Sequence, residues 1–249
     1  MKVCVFGNSH CGALIRASSS VIKKFSKTTL DFFALRSLKI FEVSFNSVNF
    51  GLESEPSSLK LLKEMSKKDM IDTSYYDCYI VYLPLIEGDR TKFNNYNFPP
   101  SKLLYESLNC YFSDAEKKAA QKSFYTSLTI GPALSFAQKL SKSTKQKIYI
   151  APTPQKSNIR AQKYSFDIKG SEYYAEGVKI LKNYLGDLGF ALIPQPENTI
   201  DGMFTKIEYT SGSKDLDGKR GHGGTDNMHM NDEYGELYLN HLLQQIKAF

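Results

Sequence analysis

Five short apolar runs recur along this chain, each ended by glycine, proline or a turn, with helical patterns between them. The first, Lys2 to Phe6 (KVCVF), is β-branched and aromatic and stops at Gly7. Leu30 to Leu35 (LDFFAL), Asp77 to Leu83 (DCYIVYL), Lys147 to Ala151 (KIYIA) and Phe190 to Ile193 follow it. Short runs that are apolar without alternation suit strands buried on both faces, the condition of strands in a parallel sheet. Between them, Ala13, Leu14, Ala17, Val21, Ile22 and Phe25 fall at helical spacing. Ser57 to Met65 reads as a helix with Ser57 or Ser58 as its cap, and Glu172 to Leu185 as an amphipathic helix ended by a turn over Gly186 to Gly189. Ser101 to Leu140 is mostly helical in pattern, broken at Gly131–Pro132. A last helix, capped by Asn231 or Asp232, turns Leu239, Leu242, Leu243 and Ile246 inward. Strands alternating with helices imply right-handed crossovers and an α/β fold. The expected architecture is a three-layer α/β/α sandwich around a central, mostly parallel five-stranded sheet. No repeat or linker divides the chain, so residues 1–249 are expected to form one domain. A helical insertion or lid is expected around 88–146, entered through a loop over Glu87 to Pro100 rich in Asn, Gly and Pro.

Composition narrows the class further. With 249 residues, 41% apolar and 23% charged, the chain can bury a true core and has none of the biases of collagen, disordered or disulfide-scaffold proteins. No run approaches the roughly 18–20 consecutive apolar residues that a membrane span requires. The opening MKVCVFGNSHCGAL is interrupted early by Asn8, Ser9 and His10 and lacks a small-residue cleavage site. It reads as part of the mature fold, and a cytoplasmic location is expected. The four cysteines (Cys4, Cys11, Cys78, Cys110) form no CxxC pair, which disfavours a zinc ribbon or a redox dithiol. The net charge is +6, and its surplus of lysine is spread along the chain (Lys23 and Lys24, Lys67 and Lys68, Lys117 and Lys118, Lys142 to Lys147). Dispersed pairs suit a solvated surface better than a nucleic-acid stripe, so no nucleic-acid partner is expected.

In open α/β sheets ligands bind beyond the carboxyl ends of the strands. The first strand delivers Gly7–Asn8–Ser9–His10 to that edge, immediately before a helix. Ser9 has two readings there: a helix cap, or a nucleophile whose surrounding N–H groups and helix dipole favour an anionic tetrahedral intermediate. GNSHCG (Gly7 to Gly12) lacks both the GxGxxG spacing and the GK[ST] of a phosphate loop, so a cradled di- or triphosphate is not expected. Near the other end, Asp226 and His229 stand three apart just before the last helix. That spacing allows the carboxylate to reach Nδ1 and turn Nε2 toward a nucleophile. A lone Asp-x-x-His is common on surfaces; its occurrence together with a serine just after the first strand is more specific.

The chain resembles the SGNH/GDSL hydrolases, in the branch with Gly-Asn-Ser-His in place of Gly-Asp-Ser-Leu. The resemblance rests on VFGNSHCGAL, YYDCYIVYL, KIYIAPTP and TDNMHMNDEYGELYLNHLL and spans nearly the whole chain. It implies a flavodoxin-like sheet order, with Ser9 as nucleophile, His229 as general base and Asp226 as its orienting carboxylate. It also implies that the Ser9 N–H helps form an oxyanion hole. Two departures stand out. Where the family offers a glycine N–H after the second strand, this chain has Leu35–Arg36–Ser37–Leu38. Where the family has Gly-x-Asn-Asp after the third strand, this chain has Leu83–Pro84–Leu85–Ile86–Glu87–Gly88–Asp89. Arg36 or Ser37 N–H, or Asn94, Asn95 or Asn97 from the next loop, are the candidate substitutes; without one turnover is expected to be slow. Losing one oxyanion donor removes about 3 kcal/mol of transition-state stabilisation. His10 is expected in the helix's first turn or against substrate, and His241 as a packing or surface residue. No metal site is expected from His222, Asp226 and His229, and Lys219 and Arg220 read as a solvated loop.

The resemblance implies a serine esterase acting on small acyl groups, often acetyl, on carbohydrate, with no cofactor. An O-acyltransferase would share every catalytic residue and take an acyl donor such as acetyl-CoA. A binding protein on a degenerate scaffold is the third reading, motivated by the missing asparagine.

Overall fold

The computed structural model describes residues 1–52, 55–85, 131–155, 157, 170–202, 204–210, 212–214, 216–218, 221, 226 and 228–248. Five parallel strands form its sheet: β1 (Lys2–Gly7), β2 (Thr29–Ala34), β3 (Cys78–Tyr82), β4 (Lys147–Ile150) and β5 (Ala191–Leu192). Their order is β2-β1-β3-β4-β5, so β1 lies inside the sheet and the chain reverses direction across it between β1 and β3. Gly7 pairs with Ala34 on one side and Tyr82 on the other. The residues after β1 therefore emerge where the crossovers diverge, the crevice in which α/β sheets bind ligands.

Strand side chains alternate between two apolar layers. Cys4, Phe6, Phe33, Tyr79, Val81, Ile148 and Ile150 face one layer, together with helices α2 (Pro56–Ser66), α3 (Pro132–Ser141) and α4 (Gly170–Asp187). Val3, Val5, Phe32, Ile80, Tyr82 and Tyr149 face the other, together with α1 (Cys11–Ile22) and α5 (Asp232–Lys247). The expected three-layer sandwich is the observed one.

Helices α1 and α5 bring the two ends of the chain together. Buried Ala13 and Ala17 keep the surface of α1 low. A Cβ on Gly235 of α5 would overlap the Ala13 carbonyl group, so glycine permits the approach. Tyr234, Tyr238, Leu239, Leu242 and Leu243 of α5 are buried against the sheet, and the Tyr238 hydroxyl donates to Pro152 O at the end of β4 (3.0 Å). At the rim, Arg16 pairs with Asp232 (2.5 Å) and Lys24 with Glu236 (2.8 Å).

The structure differs from the sequence-based expectation in several particulars. Helix α2 starts at Pro56, with Glu55 in the cap position, so neither Ser57 nor Ser58 caps it. Proline's fixed φ and missing N–H make it a good first helical residue, and it sets the start. Helix α4 continues through Gly186 to Asp187, which narrows the expected turn to Leu188 and Gly189. Asn231, rather than Asp232, caps α5: its Oδ1 accepts the Tyr234 N–H at 3.0 Å. A small antiparallel pair, β6 (Ile200–Asp201) and β7 (Phe204–Thr205), stands in a stretch expected to be irregular. The lid expected around 88–146 falls largely on 86–130, outside the described residues, and within that span only residues 131–146 are described, which form α3 and the turn that follows it. Among the described residues no helix is long and apolar enough to cross a membrane.

Candidate active site

Ser9 stands one turn beyond β1. Gly7 is required there by close approach, because a Cβ would collide with Cys11 Sγ and come within 2.8 Å of Tyr82 O. Asn8 is buried, and its side chain closes the turn: Asn8 Oδ1 accepts the His10 N–H (3.1 Å). The N–H of Cys11 then donates to Asn8 O (3.0 Å) and that of Gly12 to Ser9 O (3.1 Å), starting α1. The residue in the cap position is His10, without a side-chain capping bond, so the capping reading of Ser9 is set aside. Sequence reasoning assigned nothing to Asn8; the available signal was an Asx residue two before the His10 N–H, a common turn former.

The Ser9 hydroxyl meets the far end of the chain. Its Oγ lies 3.1 Å from His229 Nε2, 220 residues away in sequence. On the other side of the ring, His229 Nδ1 lies 2.8 Å from Asp226 Oδ2. Asp226 Oδ1 accepts the backbone N–H groups of Met228 (2.8 Å) and His229 (3.2 Å), which fold the three-residue spacing into a tight turn. That turn is tied down at its C-terminal side. Met230 is buried, the Asn231 N–H donates to Tyr209 O (2.7 Å), and Asn231 Nδ2 donates to Glu208 O (2.9 Å).

The electrostatics of Asp226 fix which ring nitrogen faces it with a proton. Burial pushes the Asp226 carboxyl up, but hydrogen bonds from the His229 ring and from the Met228 and His229 N–H groups outweigh it. The carboxyl is held well below the usual carboxylate range. An ionised carboxylate only accepts, so Nδ1 of His229 carries the proton that faces it. In the neutral ring Nε2 is then an acceptor, and the Ser9 hydroxyl donates to it. Both side chains are largely shielded, with 21% of His229 and 15% of Asp226 exposed.

The remaining candidates lie at different distances from this line. His10 lies against the site: its ring stacks on that of His229, with centroids 4.9 Å apart and planes 19° apart. Arg36 and Ser37 follow β2 at the same sheet edge, where the Leu35 N–H donates to Gly7 O (3.2 Å). Arg36 reaches Asp217 (3.7 Å), and Ser37 has a left-handed backbone (φ 56°), the conformation a glycine adopts readily. A cleft of about 310 Å³ opens beside them, lined by Leu35, Arg36, Lys39, Ser57, Ser58 and Lys60 among others. Asn94, Asn95 and Asn97, like His222, Lys219 and Arg220, lie outside the described residues. His241 is half-buried in α5 with its ring 6.4 Å from that of Tyr238, a packing position, and burial lowers its pKa. Cys4, Cys11 and Cys78 are buried free thiols, and burial raises the pKa of each, that of Cys78 to about 12. A thiolate at any of them is disfavoured. Among the described residues no group of His, Cys, Asp and Glu is arranged to hold a metal ion.

No family model and no curated protein matches the sequence. Solved structures similar to the chain include a GDSL-like lipase from Bacteroides thetaiotaomicron VPI-5482, with 9% identity, 99% of this chain and 88% of that one covered, and a TM-score of 0.44. The periplasmic domain of a lipopolysaccharide acetyltransferase from Salmonella ser. Paratyphi A is 8% identical, with 99% and 83% covered and a TM-score of 0.44. A carbohydrate acetylesterase family member from Sinorhizobium meliloti is 9% identical, with both chains covered at 100% and a TM-score of 0.40.

Proposed function

We propose that this chain is a serine-dependent hydrolase of small acyl esters, with Ser9 as nucleophile, His229 as general base and Asp226 as the carboxylate that orients it. The observation that carries the reading is the unbroken line of hydrogen bonds from Ser9 Oγ through the imidazole to Asp226, at 3.1 and 2.8 Å. Three polar side chains from opposite ends of a chain seldom meet in this order by packing alone, and the Asp226 carboxyl is held ionised, as an orienting carboxylate must be.

The steps follow from that geometry. As Ser9 Oγ forms a bond to the ester carbonyl carbon, its proton passes to His229 Nε2, and the imidazolium is stabilised by Asp226. The carbonyl oxygen becomes an oxyanion near the N-terminus of α1, where the helix dipole and the Ser9 N–H favour negative charge. The C–O bond to the alcohol breaks, and the alcohol leaves with the proton from Nε2. Water then attacks the acyl-serine as one of its protons passes to Nε2; the bond from the acyl carbon to Oγ breaks, the Nε2 proton returns to Ser9 Oγ, and the acid is released. The Arg36 or Ser37 N–H is the proposed second donor to the oxyanion, and the neighbouring cleft offers room for part of the substrate. The sugar ester as natural substrate is what the sequence resemblance implies.

The test is hydrolysis of p-nitrophenyl acetate and of acetylated monosaccharides by the full-length protein. Release of acetate that disappears in Ser9→Ala supports the reading. A folded wild-type protein without Ser9-dependent turnover on any of these esters contradicts it. Adding free sugars to the same assay separates the acceptors: acetylated sugar accumulating in place of acetate assigns the protein to O-acyl transfer instead.

A further inference from the structure

His229 is held by two hydrogen bonds, from Nδ1 to Asp226 Oδ2 and from Nε2 to Ser9 Oγ. Its imidazole turns about the Cβ–Cγ bond, and both nitrogens lie off that axis. Such a turn swings Nε2 out of line with the serine hydroxyl, and hydrogen bonds weaken steeply as they lose linearity. Contacts on the faces of the ring oppose this rotation. His10 supplies one: its imidazole lies 4.9 Å from that of His229, centroid to centroid, with planes only 19° apart.

His10 is anchored well enough to serve as such a wall. Its backbone is helical (φ −65°, ψ −21°), and its N–H is bound by Asn8 Oδ1. The two following N–H groups are fixed on Asn8 O and Ser9 O. Ser9 and His10 are adjacent residues, so the hydroxyl and the stacking ring belong to one rigid turn. His229 arrives from a hydrogen-bonded loop and docks against both at once.

The geometry points to His10 as a positioning residue that keeps the plane of His229 aligned with Ser9 Oγ through the face of its ring. This inference rests on the esterase reading above. Within that reading the proton still moves only between Ser9, His229 and the leaving or attacking oxygen, and His10 acts through His229.

Steady-state hydrolysis of p-nitrophenyl acetate by the full-length wild type, His10→Ala and His10→Phe tests it. Alanine removes the face; phenylalanine keeps a planar ring and removes the nitrogens. The expected result is a kcat roughly ten- to a hundredfold lower in His10→Ala, the usual effect of removing a group that orients a reacting one. KM and the melting midpoint stay unchanged, and His10→Phe recovers most of the lost kcat. A purely structural role would lower the melting midpoint and leave kcat per folded molecule intact. Equal kcat in wild type and His10→Ala overturns the inference. So does an equal loss in the alanine and phenylalanine variants, which would assign the effect to a ring nitrogen. Should His10→Ala not fold, His10→Leu, which fills the space without a planar face, replaces it in the same comparison. Ser9-dependent turnover in the wild type that His10→Ala matches overturns this inference alone, whereas a wild type with no Ser9-dependent turnover overturns both.

Discussion

Ser9 is carried by a buried central strand and locked by the first turn of α1, whereas His229 stands on an irregular segment held by side-chain and backbone hydrogen bonds. At the serine end, β1 is paired on both sides along nearly its whole length, and Gly7 is enclosed by Cys11 and Tyr82. At the histidine end, Asp226 shapes the turn, Asn231 ties it to Glu208 and Tyr209, and α5 docks the whole on α1. A strand in mid-sheet opens only with the fold, while a segment held by a few hydrogen bonds opens more readily. The site is therefore expected to fail first at its histidine end, through changes that leave the sheet intact.

The largest effects are expected at the proposed nucleophile and base. Ser9→Ala and His229→Ala are each expected to lower kcat on p-nitrophenyl acetate by roughly a millionfold, because members of such a unit act together. Equal activity in either variant would remove that residue from the mechanism. Asp226→Asn is expected to lower kcat about ten-thousandfold, since an amide can hold the ring in the wrong tautomer. The same substitution has a signature in stability. Because the Asp226 carboxyl is held low, its contribution is present above the ordinary carboxylate pKa of about 4 and fades as pH falls through the lower folded value. Urea midpoints measured from pH 6 downward are expected to fall less steeply in Asp226→Asn than in wild type. Parallel curves would contradict the assigned hydrogen bonding.

Changes to the docking of the two ends come next. Gly235→Ala forces α5 away from the Ala13 carbonyl; a loss of roughly 2 kcal/mol in urea unfolding is expected, as for other overpacked cores. Turnover should fall with it, because the shift moves His229 relative to Ser9. Gly186→Ala is the matched control: nothing lies within 4 Å of its Cβ position, and a gain of up to about 1 kcal/mol is expected from helix propensity. If the two substitutions behave alike, close packing of α1 on α5 is not what joins the ends. Asn231→Ala removes the cap and the side-chain tie to Glu208 O while keeping the backbone tie to Tyr209 O, with about 1 kcal/mol of stability expected to be lost and a proportionally larger fall in kcat. The smallest effect is expected at the rim. Lys24→Ala breaks an exposed pair with Glu236 and should change stability by no more than about 0.5 kcal/mol, less at high salt.

Much of the scaffold was legible because apolar runs and strands coincide. All five runs became strands, yet most of their ends moved by one residue, since backbone pairing and not polarity decides where a strand stops. Thr29 joins β2 although it is polar, and Phe190 lies outside β5 although it is apolar. Strands β6 and β7, two residues each, are too short to carry a pattern. At the site, the Asp226–His229 spacing and the position of Ser9 after β1 were readable, because short-range turns and strand ends leave local marks. The stack of His10 on His229 was not, since a contact between rings 219 positions apart exists only once α1 and α5 pack. The left-handed Ser37 was equally silent: a serine gives no sequence cue for a conformation that glycine would have announced.

The most direct measurement is covalent labelling of the folded protein with a fluorophosphonate, followed by mass spectrometry of its peptides. Rapid modification confined to Ser9, absent in Ser9→Ala and slowed by orders of magnitude in His229→Ala, is the predicted result. An unmodified Ser9 in the folded wild type, or labelling of Ser9 at the same rate without His229, would contradict an activated serine.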